Sequence, residues 1–426
     1  MVWCGMALVD DIVVRIDRGD VVRLALELCN IDSPIGHERE VGEHLYGWMD
    51  REGLSPRRLG LQPHRFNLLG RLPGSGGGYS LIFNSHMDTA VPGAPDLVHA
   101  DPTERRYHAA WIEEDLLVGE GIINDKGPMA AFLVAVKAIK DSGQRLLGDV
   151  LVSAVINETG GEPCDEPPGS YQQSKEFGTR FLVTHGGVAD YALVCEGTGF
   201  GLVWVEAGEF WYKVTLRGEA PPFYTPYLPE RTTLAKSPNM VVASAAAIEA
   251  LEVWASRYQA KNVYTSPGGT VVPKAQIGAI RGGDPNRPLF SPQLCELYLD
   301  VRSVPNQDPL RTREEIRDVL AGVGLSATVE LFSFRPGFEA RNIERLADAG
   351  RRAHRAVFRE EPQPAPVETS SMWRDINAFN EVGIPAMTIG PRSRALGGKR
   401  ALPIESLYQA ALLYARIAVD LCSQRK

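Results

Sequence analysis

The chain has few cysteines, few histidines, no surplus of positive charge and no long apolar run. Its six cysteines (Cys4, Cys29, Cys164, Cys195, Cys295 and Cys422) are scattered and include no Cys-x-x-Cys. Buried free thiols in a reducing cytoplasm are therefore expected. A net charge of −8 argues against a nucleic-acid partner. No run of about 18 apolar residues exists, so neither a spanning helix nor a membrane partner is expected. The N-terminal stretch "MVWCGMALVDDIVVRIDRGD" has no basic region, and Asp10 and Asp11 interrupt its apolar patch. It does not read as a signal peptide. The glycine run "SGGG" is followed by no Gly-Lys-Ser/Thr, so it is not a phosphate loop. A hairpin-type turn is expected there instead.

What is present is ordinary for a soluble globular protein: 44% apolar and 23% charged residues. At 426 residues the chain is long for one domain. Up to about residue 203 it alternates strands and helices, as α/β layers do. "FNLLGRLPG", "YSLIFNSHMDT", "DVLVSAVI" and "DYALVCEG" read as strands, and "KGPMAAFLVAVKAIKDSG" as a helix ending near Gly143. The character then changes. "EFWYKVTLRG", "KAQIGAIRGG" and "QLCELYLDVRS" alternate as half-exposed antiparallel strands do. From about residue 335 the α/β pattern returns. The expected architecture is a catalytic α/β domain with a central sheet, residues 1–203 and 335–426. An α+β domain, residues 204–334, interrupts it.

Four segments fall at strand ends, where open α/β sheets bind ligands. They are "NSHMDT", "GEGIINDKG", "INETGG" and "VCEGT", which offer His86, Asp88, Asn124, Asp125, Glu158 and Glu196. An imidazole with carboxylates suits zinc, manganese or a similar divalent ion. Each has a structural alternative: a hydrogen-bonded histidine, an Asn/Asp helix cap, a turn acid. Together, at successive strand ends, they point to a metal site.

These segments, in this order, resemble the co-catalytic metallohydrolases that include acetylornithine deacetylase, succinyl-diaminopimelate desuccinylase, aminoacylase and carboxypeptidase G. "SHMDT" resembles their His-x-Asp motif, and "GEGIINDKGPMAA" their Gly-x-Gly-x-x-Asp-x-Lys-Gly helix start. "VCEGT" resembles their Glu-x-Thr strand end, and "MWRDINAFNEVGIPAMTIGP" the acidic segment before a Gly-Ile-Pro strand. The resemblance covers essentially the whole chain. It implies a central mixed sheet, a lid or dimerisation domain in the insert, and a homo-oligomer formed through that insert.

The chain also departs from that pattern. Relatives hold two metals bridged by an aspartate, and counting from Gly121 or Lys126 puts Asn124 in its place, with Asp125 displaced by one. The usual acidic pair becomes Asn157-Glu158-Thr159. One register makes Glu158 the general base and Thr159 a lost ligand; the other makes Glu158 the ligand and Asn157 a lost base. The histidine expected near the C-terminus is replaced by Ala401, and the lid histidine by Pro222. No histidine occurs between His185 and His354.

The resemblance thus implies one divalent ion, manganese or zinc, held by His86, Asn124 and Glu196. Glu158 is the expected base, Asp88 the residue holding His86, and Arg374 the grip on a carboxylate of a small substrate. The expected reaction is hydrolysis of a carbon–nitrogen bond. Without the lid oxyanion donor, the first choice is an aromatic aminohydrolase that converts 5-nitroanthranilate to 5-nitrosalicylate and ammonia. Phe210, Trp211, Tyr212, Phe223, Tyr224 and Tyr227 are its candidate aromatic packing. The alternatives are an N-acyl amino acid deacylase or dipeptidase, and a catalytically dead binding protein.

Overall fold

Asp17 opens the first long helix by accepting from Asp20 N (2.8 Å), and the buried Val21, Leu24, Ala25 and Leu28 give it one apolar face. A computed structural model describes residues 9–91, 101–159, 175–230, 232–396 and 399–426. In chain order the main helices are α1 (Arg18–Cys29), α2 (Arg39–Arg51), α3 (Lys126–Asp141), α4 (Met240–Lys261), α5 (Pro309–Gly322), α6 (Glu344–Phe358), α7 (Ile376–Glu381) and α8 (Ile404–Cys422). The main strands are β1 (Arg57–Gln62), β2 (Arg65–Leu72), β3 (Leu81–His86), β4 (Val150–Val155), β5 (Tyr191–Val194), β6 (Gly208–Arg217), β7 (Ala275–Gly282), β8 (Leu294–Ser303), β9 (Ala327–Arg335) and β10 (Ala386–Thr388).

The chain divides into two compact units. The first comprises Met1–Trp204, Ala340–Thr369 and Arg374–Lys426. Its sheet is mixed, in the order β1-β2-β4-β3-β5-β10. β3, β4, β5 and β10 run parallel, while β1 and β2 are antiparallel to their neighbours. β3 and β4 are buried along their whole length, as strands covered on both faces are. α3 is apolar nearly all round, from Met129 to Ile139, and belongs to the same core as α1 and α8. The expected hairpin at "SGGG" is not formed, because β4 lies between β2 and β3. Gly76 and Gly77 take positive φ there, +100° and +79°, which glycine adopts without a Cβ penalty.

The second unit comprises Val205–Glu339 and Ser370–Trp373. Its antiparallel sheet has the order β7-β8-β6-β9. Burial alternates along β8, so that Cys295, Leu297, Leu299 and Val301 point into the core. There they join Ala243, Leu251 and Trp254 of α4 and Ile316 and Leu320 of α5. The short return at Ser370–Trp373 carries no periodic signal. It is held by main-chain pairing, as Ala207 N donates to Ser370 O (2.9 Å). Phe210 and Tyr212 are fully buried in this unit's own core, and Tyr212 Oη donates to Pro309 O (2.7 Å). They are packing residues, not the substrate platform expected of them.

The described cysteines Cys29, Cys195, Cys295 and Cys422 are free and buried. Among the described residues no helix is long and apolar enough to cross a membrane.

Candidate metal centre

The parallel register of β3, β4 and β5 brings three carboxyl ends to one edge of the sheet. His86 pairs with Val155 across β3 and β4, and Asn84 pairs with Val194 across β3 and β5. The residues that follow these ends are therefore neighbours: Asp88 after β3, Glu158 after β4, Glu196 after β5. The N-terminus of α3 supplies a fourth group. Asp125 directly precedes Lys126, and Ser85 Oγ donates to its Oδ2 (2.6 Å).

His86, Asp125 and Glu196 are all buried, and each offers a ligand atom within 4.8 Å of the other two. Among the described residues, His86 Nε2 and Asp125 Oδ1 are buried without a hydrogen-bond partner. Unpartnered buried polar atoms are costly, and a divalent cation satisfies both. One imidazole nitrogen and two carboxylates are a fitting donor set for zinc or manganese.

The carboxylate next to Asn124 lies in the cluster. Asn124 is half-buried and ends the helical turn Glu120–Ile123, donating its N–H to Glu120 O (3.0 Å). Asp125 is the residue that enters the cluster. This carboxylate lies one residue beyond the position that counting from Gly121 gives.

Asp88 acts differently from its expected role. His86 Nδ1–H donates to the backbone carbonyl of Asp88 (2.8 Å), while the carboxylate Oδ1 stands 3.7 Å away. The carbonyl, not the carboxylate, fixes the tautomer that aims Nε2 into the cluster. The Asp88 carboxylate instead accepts from Glu158 N (3.0 Å), Thr159 N (2.8 Å) and Thr159 Oγ1 (2.6 Å). It thereby holds the turn that carries Glu158. Asp88→Ala leaves two N–H donors of this turn without that acceptor. The expected loss is at least about 2 kcal/mol, read as a lower midpoint in urea unfolding of the metal-free protein.

The same turn settles where each side chain of Asn157-Glu158-Thr159 points. Asn157 has φ +66°, a left-handed conformation that asparagine tolerates. Its Oδ1 accepts from Arg65 Nη2 (3.1 Å), and Arg65 also makes a forked contact with Glu38. Thr159 is tied to Asp88. Glu158 is the one that faces the cluster, with Oε2 3.8 Å from His86 Nε2. It lies outside the set whose ligand atoms all fall within 4.8 Å of one another. Ala401 packs with Leu116 and Val118 in a small apolar cluster.

Two cations and one further acid complete the site. Lys175 Nζ is 3.4 Å from Glu158 Oε1. Arg374 Nε is 2.9 Å from Glu196 Oε2, so its expected grip on a substrate competes with this pairing. Asp375 Oδ2 accepts from Asn84 Nδ2 (2.8 Å), whose own Oδ1 accepts from Ser153 Oγ (2.8 Å). Sequence reasoning missed Lys175, a lone lysine with no motif around it. Asp375 lies in the acidic segment before the Gly-Ile-Pro strand but was assigned no role.

In the ion-free site burial and mutual charge shift several of these groups. Burial alone lowers the His86 pKa, but Asp88, Asp125, Glu158 and Glu196 outweigh it and raise the value to about 10. Burial and then the charge of Glu196 raise Asp125 well above the carboxylate range. Burial raises Glu196 too, against the opposing Arg374. Burial and then Glu158 bring Asp375 to about 7.

The raised histidine stabilises the ion-free fold below its unfolded pKa of about 6.5, and this is lost as pH rises through about 10. The raised acids act in the same sense, since ionisation in the cluster costs more than in the unfolded chain. A bound cation replaces the protons. The gain in Tm on adding Mn²⁺ is therefore expected to be larger at pH 8.5 than at pH 6.5, measured by thermal unfolding at both.

Comparison with known proteins gives a consistent picture. Residues 82–420 match the model of "Peptidase family M20/M25/M40". A curated relative from Bacillus subtilis, an N-formyl-4-amino-5-aminomethyl-2-methylpyrimidine deformylase, is 23% identical over 96% of each chain. Among solved structures, a tripeptidase from Staphylococcus aureus superposes with a TM-score of 0.71 at 17% identity, over 96% of this chain and 100% of that one. A dinuclear metal-binding peptidase from Bacillus subtilis gives 0.61 at 13% identity, over 94% and 97%.

Proposed function

The chain belongs to the M20/M25/M40 peptidase family of metal-dependent hydrolases, and we propose that it removes an acyl group from a small N-acyl substrate with a single divalent ion. The observation that carries this reading is the buried His86–Asp125–Glu196 cluster with Glu158 at its rim. His86 Nε2, Asp125 and Glu196 would hold the ion. When bound, it supplies Lewis acidity, polarising an acyl oxygen and acidifying water.

The chain's own groups do the rest. Glu158 takes a proton from water as the water oxygen bonds to the acyl carbon. The same carboxyl then gives that proton to the amine nitrogen as the carbon–nitrogen bond breaks. The products are a carboxylate and an amine. Lys175 Nζ places a positive charge 3.4 Å from Glu158 Oε1. Asp88 keeps the Glu158 turn in place through its two backbone acceptor contacts.

Acyl transfer to water is favoured over aromatic deamination for two reasons. The curated relative above is a deformylase by name. Of the six aromatic residues expected to pack a planar ring, Phe210 and Tyr212 are core residues of the second unit. The 5-nitroanthranilate reaction gains no support. A small-molecule substrate, a cytoplasmic setting and a homo-oligomer formed through the second unit remain part of the proposal.

A substrate panel tests it. Protein reconstituted with Mn²⁺ or Zn²⁺ is offered N-formyl, N-acetyl and N-succinyl amines and amino acids, dipeptides, and 5-nitroanthranilate. Release of free amine from at least one N-acyl compound is expected. Ammonia from 5-nitroanthranilate with no turnover of any acyl substrate overturns the reading.

A further inference from the structure

Two cations stand on two of the centre's carboxylates, and no step above requires both. Lys175 lies 3.4 Å from Glu158 and Arg374 lies 2.9 Å from Glu196. Each of these four side chains is at least 89% shielded from solvent, so bulk water screens the pairs little. Lys175 comes from the 3₁₀ turn Lys175–Phe177 and Arg374 from the turn before α7. Neither belongs to the strand-end array that supplies the metal cluster.

We propose that Lys175 and Arg374 stand in electrostatically for a second metal ion. A second divalent ion brings two positive charges among the carboxylates, and these two side chains bring the same number. The inference rests on the single-ion reading above. A fold neighbour is a dinuclear metal-binding peptidase, so a second ion is the relevant comparison. The two positions where the family resemblance expects second-ion ligands, Thr159 and Ala401, offer no donor to one. Thr159 Oγ1 is tied to Asp88, and Ala401 packs against Leu116 and Val118. The carboxylates Glu158 and Glu196 are still present, each with a fixed cation beside it that needs no ligands.

A charge-balancing cation and a ligand-orienting cation have opposite consequences for metal affinity. If the charge is what matters, its removal leaves the cluster more negative, and the remaining ion binds more tightly. If geometry is what matters, removal loosens the ligands and affinity falls.

Metal-stripped wild type, Lys175→Met, Lys175→Arg, Arg374→Met and Arg374→Lys are titrated with Mn²⁺, and free ion is followed by electron paramagnetic resonance. Wild type is expected to bind one equivalent. Each methionine variant is expected to bind it about tenfold more tightly, and the charge-conserving variants within about threefold of wild type. Unchanged or weaker binding in the methionine variants overturns the inference, as does Arg374→Lys behaving like Arg374→Met. If one methionine variant does not fold, the pair at the other position decides alone. Two tight equivalents in wild type contradict the single-ion reading itself, a result distinct from either failure.

Discussion

Replacing Glu158 by glutamine is expected to lower kcat by about 10³-fold while one ion per chain is retained. General bases contribute roughly 10²–10⁴, and the amide keeps the shape of the side chain while losing its basicity. The retained ion follows from geometry. Glu158 stands 3.8 Å from His86 Nε2 but outside the His86–Asp125–Glu196 ligand set. The check is steady-state kinetics on the best N-acyl substrate beside metal analysis of the same preparation. A variant that loses its ion together with its activity makes Glu158 a ligand, and the assignment of roles in the turn fails. Asn157→Ala serves as the contrast. Its side chain faces Arg65, so it is expected to lower stability more than turnover.

The second large effect separates two adjacent residues. Asp125→Ala is expected to weaken metal binding by at least about 100-fold, whereas Asn124→Ala changes it by less than about tenfold. Outer-shell partners of metal ligands typically account for 10–100-fold in affinity, so loss of a direct carboxylate ligand lies at or beyond that range. The structural basis is the burial of Asp125 and its unpartnered Oδ1, against the half-buried Asn124 at the end of a short helical turn. Competition with a fluorescent chelator reads both affinities. Equal losses in the two variants contradict the assignment of Asp125.

Much of this was legible in the sequence because the signals are local. Runs such as Val150–Val155 and Leu81–His86 are short, apolar and bounded by turn residues, and they form the central parallel strands. The regular alternation of β8 marked the change to an antiparallel sheet. His86 and Glu196 were legible because a strand end followed by glycine or acid is itself a pattern. What failed was nonlocal or finer than one residue. Strand order is set by packing across the sheet, so "SGGG" looked like a hairpin although β4 separates its flanking strands. The His-x-Asp spacing promised a carboxylate–imidazole contact, and a backbone carbonyl took that place. Lys175 is brought to Glu158 by the fold alone, through a turn with no periodicity to announce it.

The central claim is that one divalent ion sits among His86, Asp125 and Glu196 and that this is the whole metal complement. Anomalous scattering from crystals soaked in Mn²⁺ tests it most directly. A single peak is expected, within bonding distance of His86 Nε2, an Asp125 oxygen and a Glu196 oxygen, at about 2.0–2.2 Å. Two peaks bridged by one carboxylate, or a single peak on Asn124 with Asp125 turned away, contradict it.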